Sequence, residues 1–252
     1  MRLLFFLRHL SRIRVCEAGK LVREVWREIL PAAKPGGPEQ VLIHGREADG
    51  RCWTQNWLRF TGKVAHKPAA HATRDETVQI VIPDRATEAL HETDSKRGRL
   101  YNYLPTEILT GLPFHLNGDF IPTTDRKSID NDHHDREVWN RLVIEGLGAC
   151  LAAALPTLLD HFRDDPTGLY RRVPLTRSHL LVSPVVEAFF RAAQDHAIFA
   201  TRVGWRGPNG TFSVSAALRP LLDGITLPVM EAHLEAAAQA LLGRTQPVAF
   251  TA

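Results

Sequence analysis

Residues 98–128 read GRLYNYLPTEILTGLPFHLNGDFIPTTDRKS, and the chain changes character where they end. Upstream, short apolar runs alternate with turn residues, as strands do. Downstream, Val138, Leu142, Val143, Leu147, Leu151, Leu155, Leu158 and Leu159 recur at helical spacing. Within the stretch, residues 100–104 are an expected strand ended by Pro105, and apolar residues 112–121 lead into the polar segment 122–135. That segment, PTTDRKSIDNDHHD, has no apolar period and reads as a surface loop. The helix after it is expected from Asp135, its N-cap, to about Phe162, with Pro156 as a kink or break. Strands followed by one long helix give an α+β class: a largely antiparallel sheet packed with that helix.

Working outward, residues 3–7, 12–15, 41–44, 52–60 and 78–82 read as strands. Residues 21–30 fit a strand or a helix, because period alone does not separate the two there. Proline and glycine at 34–38 break the chain, Asp49 and Gly50 mark a turn, and 84–99 is a polar loop. Beyond the long helix, 164–168 reads as a linker. An amphipathic helix follows at 185–193, with Ser183 as cap and Pro184 first in the helix. A small β element is expected over 198–201, Trp205 and 211–214, turning at 208–210, then an Ala-rich helix at 228–242 ending at Gly243. The expected division is therefore 1–164 and a small C-terminal α/β subdomain, 165–252.

Composition narrows the function classes. The 252 residues are 44% hydrophobic and 23% charged, which excludes a largely disordered chain. Thirty-one Lys and Arg against 28 Asp and Glu leave a net charge of +3, too small to argue for a nucleic-acid partner. Cys16, Cys52 and Cys150 stand far apart without a CxxC pair, which fits a reducing compartment and no cysteine zinc site. The apolar run at 3–7 is closed by Arg8 and is too short for a signal peptide. No stretch was expected to reach the roughly 20 apolar residues of a membrane span, so the expected location is cytoplasmic, away from any membrane.

Motifs for familiar chemistries are absent. There is no GxSxG, GxGxxG or GxxxxGK[ST], and the glycines at 204 and 207 read as a hairpin turn. His133 and His134, with Asp130, Asp132 and Asp135, are weak metal candidates without a recognised ligand spacing. Trp53 and Trp57 read as sheet-face residues. Arg126 and Lys127 stand out at the end of the apolar segment: the guanidinium can grip a phosphate with two N–H groups, and the ammonium adds a point charge. Hydroxyls of Thr123, Thr124 and Ser128 lie beside them.

These residues carry a resemblance. Residues 98–107, 110–117 and 120–128, with Trp139 and Asn140, resemble sacsin and its bacterial relatives. Residues 184–190, 198–201, Gly204 and Trp205 are similar to the continuation of that repeat. The resemblance runs over roughly 1–250 and is specific over about 98–145. In sacsin this block lies downstream of an ATP-binding domain like that of the ninety-kilodalton heat-shock chaperone. The resemblance implies the middle region of a GHKL-type ATPase, an α/β sandwich with a split β-α-β element. That region folds against the nucleotide domain and lends a cation to the γ-phosphate: Arg126 by position, with Lys127 the neighbouring alternative and Thr123, Thr124 and Ser128 beside the phosphate. The nucleotide domain's Glu/Asn helix and Asp-x-Gly-x-Gly segment are not found, so the expectation is a fragment that is no enzyme alone. It would bind no cofactor itself, ATP and Mg²⁺ belonging to the docked nucleotide domain. The implied partners are that domain, in the same or a partner chain, and a protein client. Two alternatives remain: a phosphate-backbone binding module using 123–127 with Arg97 and Arg99, and a metal-dependent hydrolase on the Asp/His cluster.

Overall fold

The computed structural model describes residues 2–87, 98–175, 178–201 and 203–208. The first apolar run is not a strand. Arg2–Phe5 coil into a 3₁₀ turn, which lays Leu4, Phe5 and Phe6 on the sheet. Five long strands then meander antiparallel: β1 (Arg12–Glu17), β2 (Lys20–Leu30), β3 (Glu39–Glu47), β4 (Cys52–Lys63) and β5 (Thr77–Pro83). The ambiguous residues 21–30 are thus a strand, paired on both sides. Three short strands complete the sheet: β6 (Arg99–Asn102), β7 (Leu104–Leu109) and β8 (His115–Asn117). The order is β1-β2-β3-β4-β5-β8-β6-β7, antiparallel except where β6 runs parallel to β8.

Side-chain alternation gives the sheet two apolar faces. Leu58, Phe60, Ile80 and Ile82 belong to the main core, and Trp57 and Val81, one residue out of step, join Phe5 and Phe6 in a second. The main core is closed by α1 (His134–His161), whose Trp139, Val143, Leu147, Leu151, Leu155 and Leu158 are buried. Its N-cap is His133, not Asp135, which lies in the first turn where an acid suits the helix dipole. Pro156 stands inside the helix without ending it. Contrary to expectation, α1 is long and apolar enough to cross a membrane by length and composition; here it is the central core helix.

The expected linker 164–168 holds a short helix, α2 (Pro166–Tyr170), because Asp165 caps it by accepting from the Gly168 N–H at 2.8 Å. A 3₁₀ turn then leads into α3 (Ser183–Ala193), so Ser183 is already helical and Val182 takes the cap position. Among the described residues, β9 (Phe199–Thr201) and β10 (Gly204–Arg206) pair only with each other. The expected strand at 211–214 and helix at 228–242 lie outside the described residues. Val185, Phe189, Ile198 and Phe199 share one core with Leu147 and Leu151, so the apolar interior runs without a break past residue 164. Buried Arg172 strengthens that joint, donating to the carbonyls of Pro83 (2.7 Å), Asp84 (3.0 Å), Thr87 (2.8 Å) and Gly168 (2.9 Å).

α1 and α3 meet closely at Gly148, where an added Cβ would lie 3.0 Å from the Ala188 Cβ and 3.2 Å from the Pro184 oxygen. Gly148→Val should therefore destabilise the protein by about 2 kcal/mol through overpacking. Urea denaturation checks this, with exposed Arg141→Ala as a control near zero; equal midpoints would refute the close packing.

Candidate functional site

The chain leaves β8 tightly against α1. At Gly118 an added Cβ would lie 2.4 Å from the Val143 Cγ1, so only glycine passes there. Trp139 Nε1 donates to the Asp119 oxygen at 2.6 Å. One helical step on, the buried amide of Asn140 accepts from the Ile121 N–H at 2.7 Å and donates to the oxygens of Asp130 (2.8 Å) and Ile121 (3.2 Å). Asn140 thus holds both arms of the loop between residues 121 and 130. Pro122 and Ile129 bridge antiparallel just beyond.

The tip is a hydrogen-bonded turn. Arg126 N–H donates to the Thr123 oxygen at 2.8 Å, and Thr123 N–H to the Ser128 oxygen at 3.0 Å. Asp125 accepts from the Thr123 hydroxyl at 2.7 Å and from the Lys127 N–H at 3.0 Å. These bonds, the hydroxyl first, hold the Asp125 carboxyl below the usual aspartate range. The Glu107 N–H reaches the Lys127 oxygen at 2.7 Å, tying the tip to β7. Arg126 sits at φ +58°, in the left-handed region that a non-glycine side chain enters at a cost.

The two expected cations differ in their surroundings. Lys127 Nζ lies 3.1 Å from Glu107 Oε1, and that carboxylate raises its pKa through hydrogen bond and charge. The Arg126 guanidinium is exposed and has no hydrogen-bond or ion-pair partner among the described residues. Thr124 is exposed beside it, while the hydroxyl of Thr123 and the backbone of Ser128 are spent on the turn, 3.2 Å apart. The site can present a cation to an oxyanion from outside.

The Asp/His cluster does not assemble. Asp130 is ion-paired with Arg136 and accepts from the Asp132 N–H at 3.0 Å; that backbone bond and then Arg136 keep its carboxyl below the usual range. Asp132, His133, His134 and Asp135 are exposed around the start of α1. Among the described residues no three His, Cys, Asp or Glu side chains are grouped to hold a metal ion. Arg99 is taken by the Thr106 oxygen at 2.8 Å, and Arg97 lies outside the described residues. Trp57 is buried in the second core, and Trp53 lies over Gly45 with its Nε1 bonded to Glu47 at 3.2 Å. Burial pushes the Cys150 thiol up to about 12, which excludes it as a nucleophile near neutral pH.

A second polar cluster was not legible in the sequence, because four separate segments build it. Arg8 pairs with Asp75 and lies over the Tyr103 ring; the Tyr103 hydroxyl donates to Asp75 at 2.9 Å. Asp119 accepts from Arg74 Nη1 at 3.1 Å and from the Asp75 N–H at 3.0 Å, and burial raises its pKa against the pull of Arg74. Tyr103 sits at φ +59°, a strain that is invisible in the sequence.

No family model matches the chain, and neither a search of curated proteins nor one of solved structures finds a match.

Two outcomes are expected. Arg126→Gly should stabilise the fold by about 1 kcal/mol by relieving the left-handed backbone, read by thermal unfolding; a loss of stability would show that the side chain is held. Because the folded pKa of Asp125 is lowered, its stabilisation is present above the unfolded value and lost as pH falls through the folded one. The Lys127 amide should therefore lose exchange protection in acid while α1 amides keep theirs, and Asp125→Asn should lack that acid transition.

Proposed function

We propose that this chain is the middle region of a sacsin-like, GHKL-type ATPase, with the split β-α-β sandwich of that family. It lends Arg126 to a nucleotide held by a separate ATP-binding domain of the same or a partner chain. The observation that carries this reading is an exposed guanidinium without a partner among the described residues, at the tip of a turn fixed from both arms. Lys127 is the weaker candidate, because Glu107 already engages its ammonium.

In this reading the chain does not turn over ATP alone. ATP and Mg²⁺ belong to the nucleotide domain, and this chain supplies an electrostatic group. Arg126 donates two parallel N–H bonds to phosphoryl oxygens, where negative charge spreads in the transition state. Thr123, Asp125 and Asn140 hold the turn, so the backbone needs no ordering at the moment of contact and the cost falls on the Arg126 side chain. The exposed Thr124 hydroxyl is a further donor beside the cation. Docking and release of the turn with nucleotide state would couple ATP to a protein client. The three free cysteines fit a cytoplasmic setting.

Phosphate release by the nucleotide domain, measured with and without this chain, tests the role. Added chain should raise turnover, and Arg126→Ala should cut the stimulated rate about 100-fold, with Lys127→Ala changing it no more than about threefold. Equal turnover with wild type and Arg126→Ala would overturn the assignment.

A further inference from the structure

On the sheet face opposite α1, the amino-terminal turn leaves a cavity of about 250 Å³ partly walled by three arginines: Arg8, Arg27 of β2 and Arg59 of β4. Gln79 of β5 and Asn117 of β8 are also in its lining. None of these residues belongs to the Arg126 turn.

The cations are unequally neutralised. Arg8 pairs with Asp75. Arg59 spends its Nε and Nη2 on one oxygen of Glu39, each at 2.8 Å, and its side chain is only 11% exposed. Arg27 has no carboxylate partner among the described residues; its Nη1 meets the Leu4 oxygen at 2.6 Å and the Phe5 oxygen at 3.4 Å. Burial first, then the nearby charge of Arg59, pull the Arg27 guanidinium below the usual arginine range. Two guanidiniums therefore line one cleft with less than their own charge in carboxylates. A guanidinium carries five N–H donors, so the Nε and Nη2 of Arg27 and the Nη1 of Arg59 remain unspent among the described residues.

The amides add direction. Asn117 Oδ1 accepts from the Tyr103 N–H at 2.9 Å, which fixes the flip of that amide. Its Nδ2 must then donate to Gln79 Oε1, 3.2 Å away. Gln79 is left with its NH₂ as the available end. Donors from β2, β4 and β5 so share one cavity, and they outnumber what the two oxygens of a carboxylate can use. The volume falls below the roughly 300–1,000 Å³ of ordinary ligand pockets, which excludes a whole nucleotide.

We infer that this cavity is a binding site for a single phosphate group, free or at the end of a small molecule, gripped by Arg27 and Arg59 and aligned by Gln79.

Thermal unfolding of the full chain, titrated with inorganic phosphate at constant ionic strength, tests the inference against Gln79→Glu. That change keeps the acceptor for Asn117 and sets a carboxylate before the two guanidiniums. Wild type should show a saturable rise in Tm. Gln79→Glu should be more stable without phosphate and should bind it about 100-fold more weakly. Arg27→Gln should lose the saturable rise as well. Phosphate also stabilises proteins by exclusion from their surface, so an equal, non-saturating rise in wild type and Gln79→Glu would overturn the site. Acetate raising Tm as phosphate does would overturn the assignment to phosphate.

Discussion

The Asn140 side chain is the amide on which the candidate site depends. It is buried beneath the loop and bonded to backbone on both arms, at Ile121 and at Asp130. Removing it would orphan an N–H and a carbonyl away from water, at about 1–3 kcal/mol each. Trp139 next to it ties down Asp119, and Gly118 permits the close pass over Val143. The first turns of α1 therefore do two things at once: they seal the core and they set the base of the turn that carries Arg126. The backbone that carries Arg126 is thus fixed, and only its exposed side chain would be ordered on meeting a phosphate.

The wider fold supplies the frame. The meander β1–β5 gives a sheet with two apolar faces, one closed by α1 and one by the amino-terminal 3₁₀ turn. Arg172 stitches the segment after α1 to the end of β5 through backbone carbonyls, where a buried guanidinium spends its donors without a carboxylate. Arg27 follows the same logic under the amino-terminal turn, but only through its Nη1 among the described residues, and its side chain is part of a cavity wall. Each face of the sheet thus has its own polar feature, and each depends on segments distant in sequence.

The strands and the long helix were legible because pattern is a local property: alternation in β1, short apolar runs bounded by turn residues in β3 and β5, and the leucine spacing of α1 survive in any context. Residues 21–30 were not resolved by period, and pairing on both sides decides them. The run at 3–7 reads as a strand by composition, but it caps the sheet face instead of joining the sheet. Asp165 turns an apparent linker into α2. Arg126 and Lys127 were found together as adjacent cations, yet the difference between them comes from Glu107, about 20 residues away on β7. The Asp/His cluster looked dense in sequence, but helix geometry and the Asp130–Arg136 pair disperse it. The arginine cavity left no sequence signal, since its walls come from β2, β4, β5, β8 and the amino terminus.

The most direct test is site-resolved amide hydrogen exchange across residues 121–130, in wild type and in Asn140→Ala. The account predicts protected amides at Ile121, Arg126, Ser128 and Asp130 in wild type, lost together in the variant while amides in the middle of α1 stay protected. Unprotected exchange at Arg126 and Ser128 in wild type, or protection that survives loss of the Asn140 amide, would contradict it.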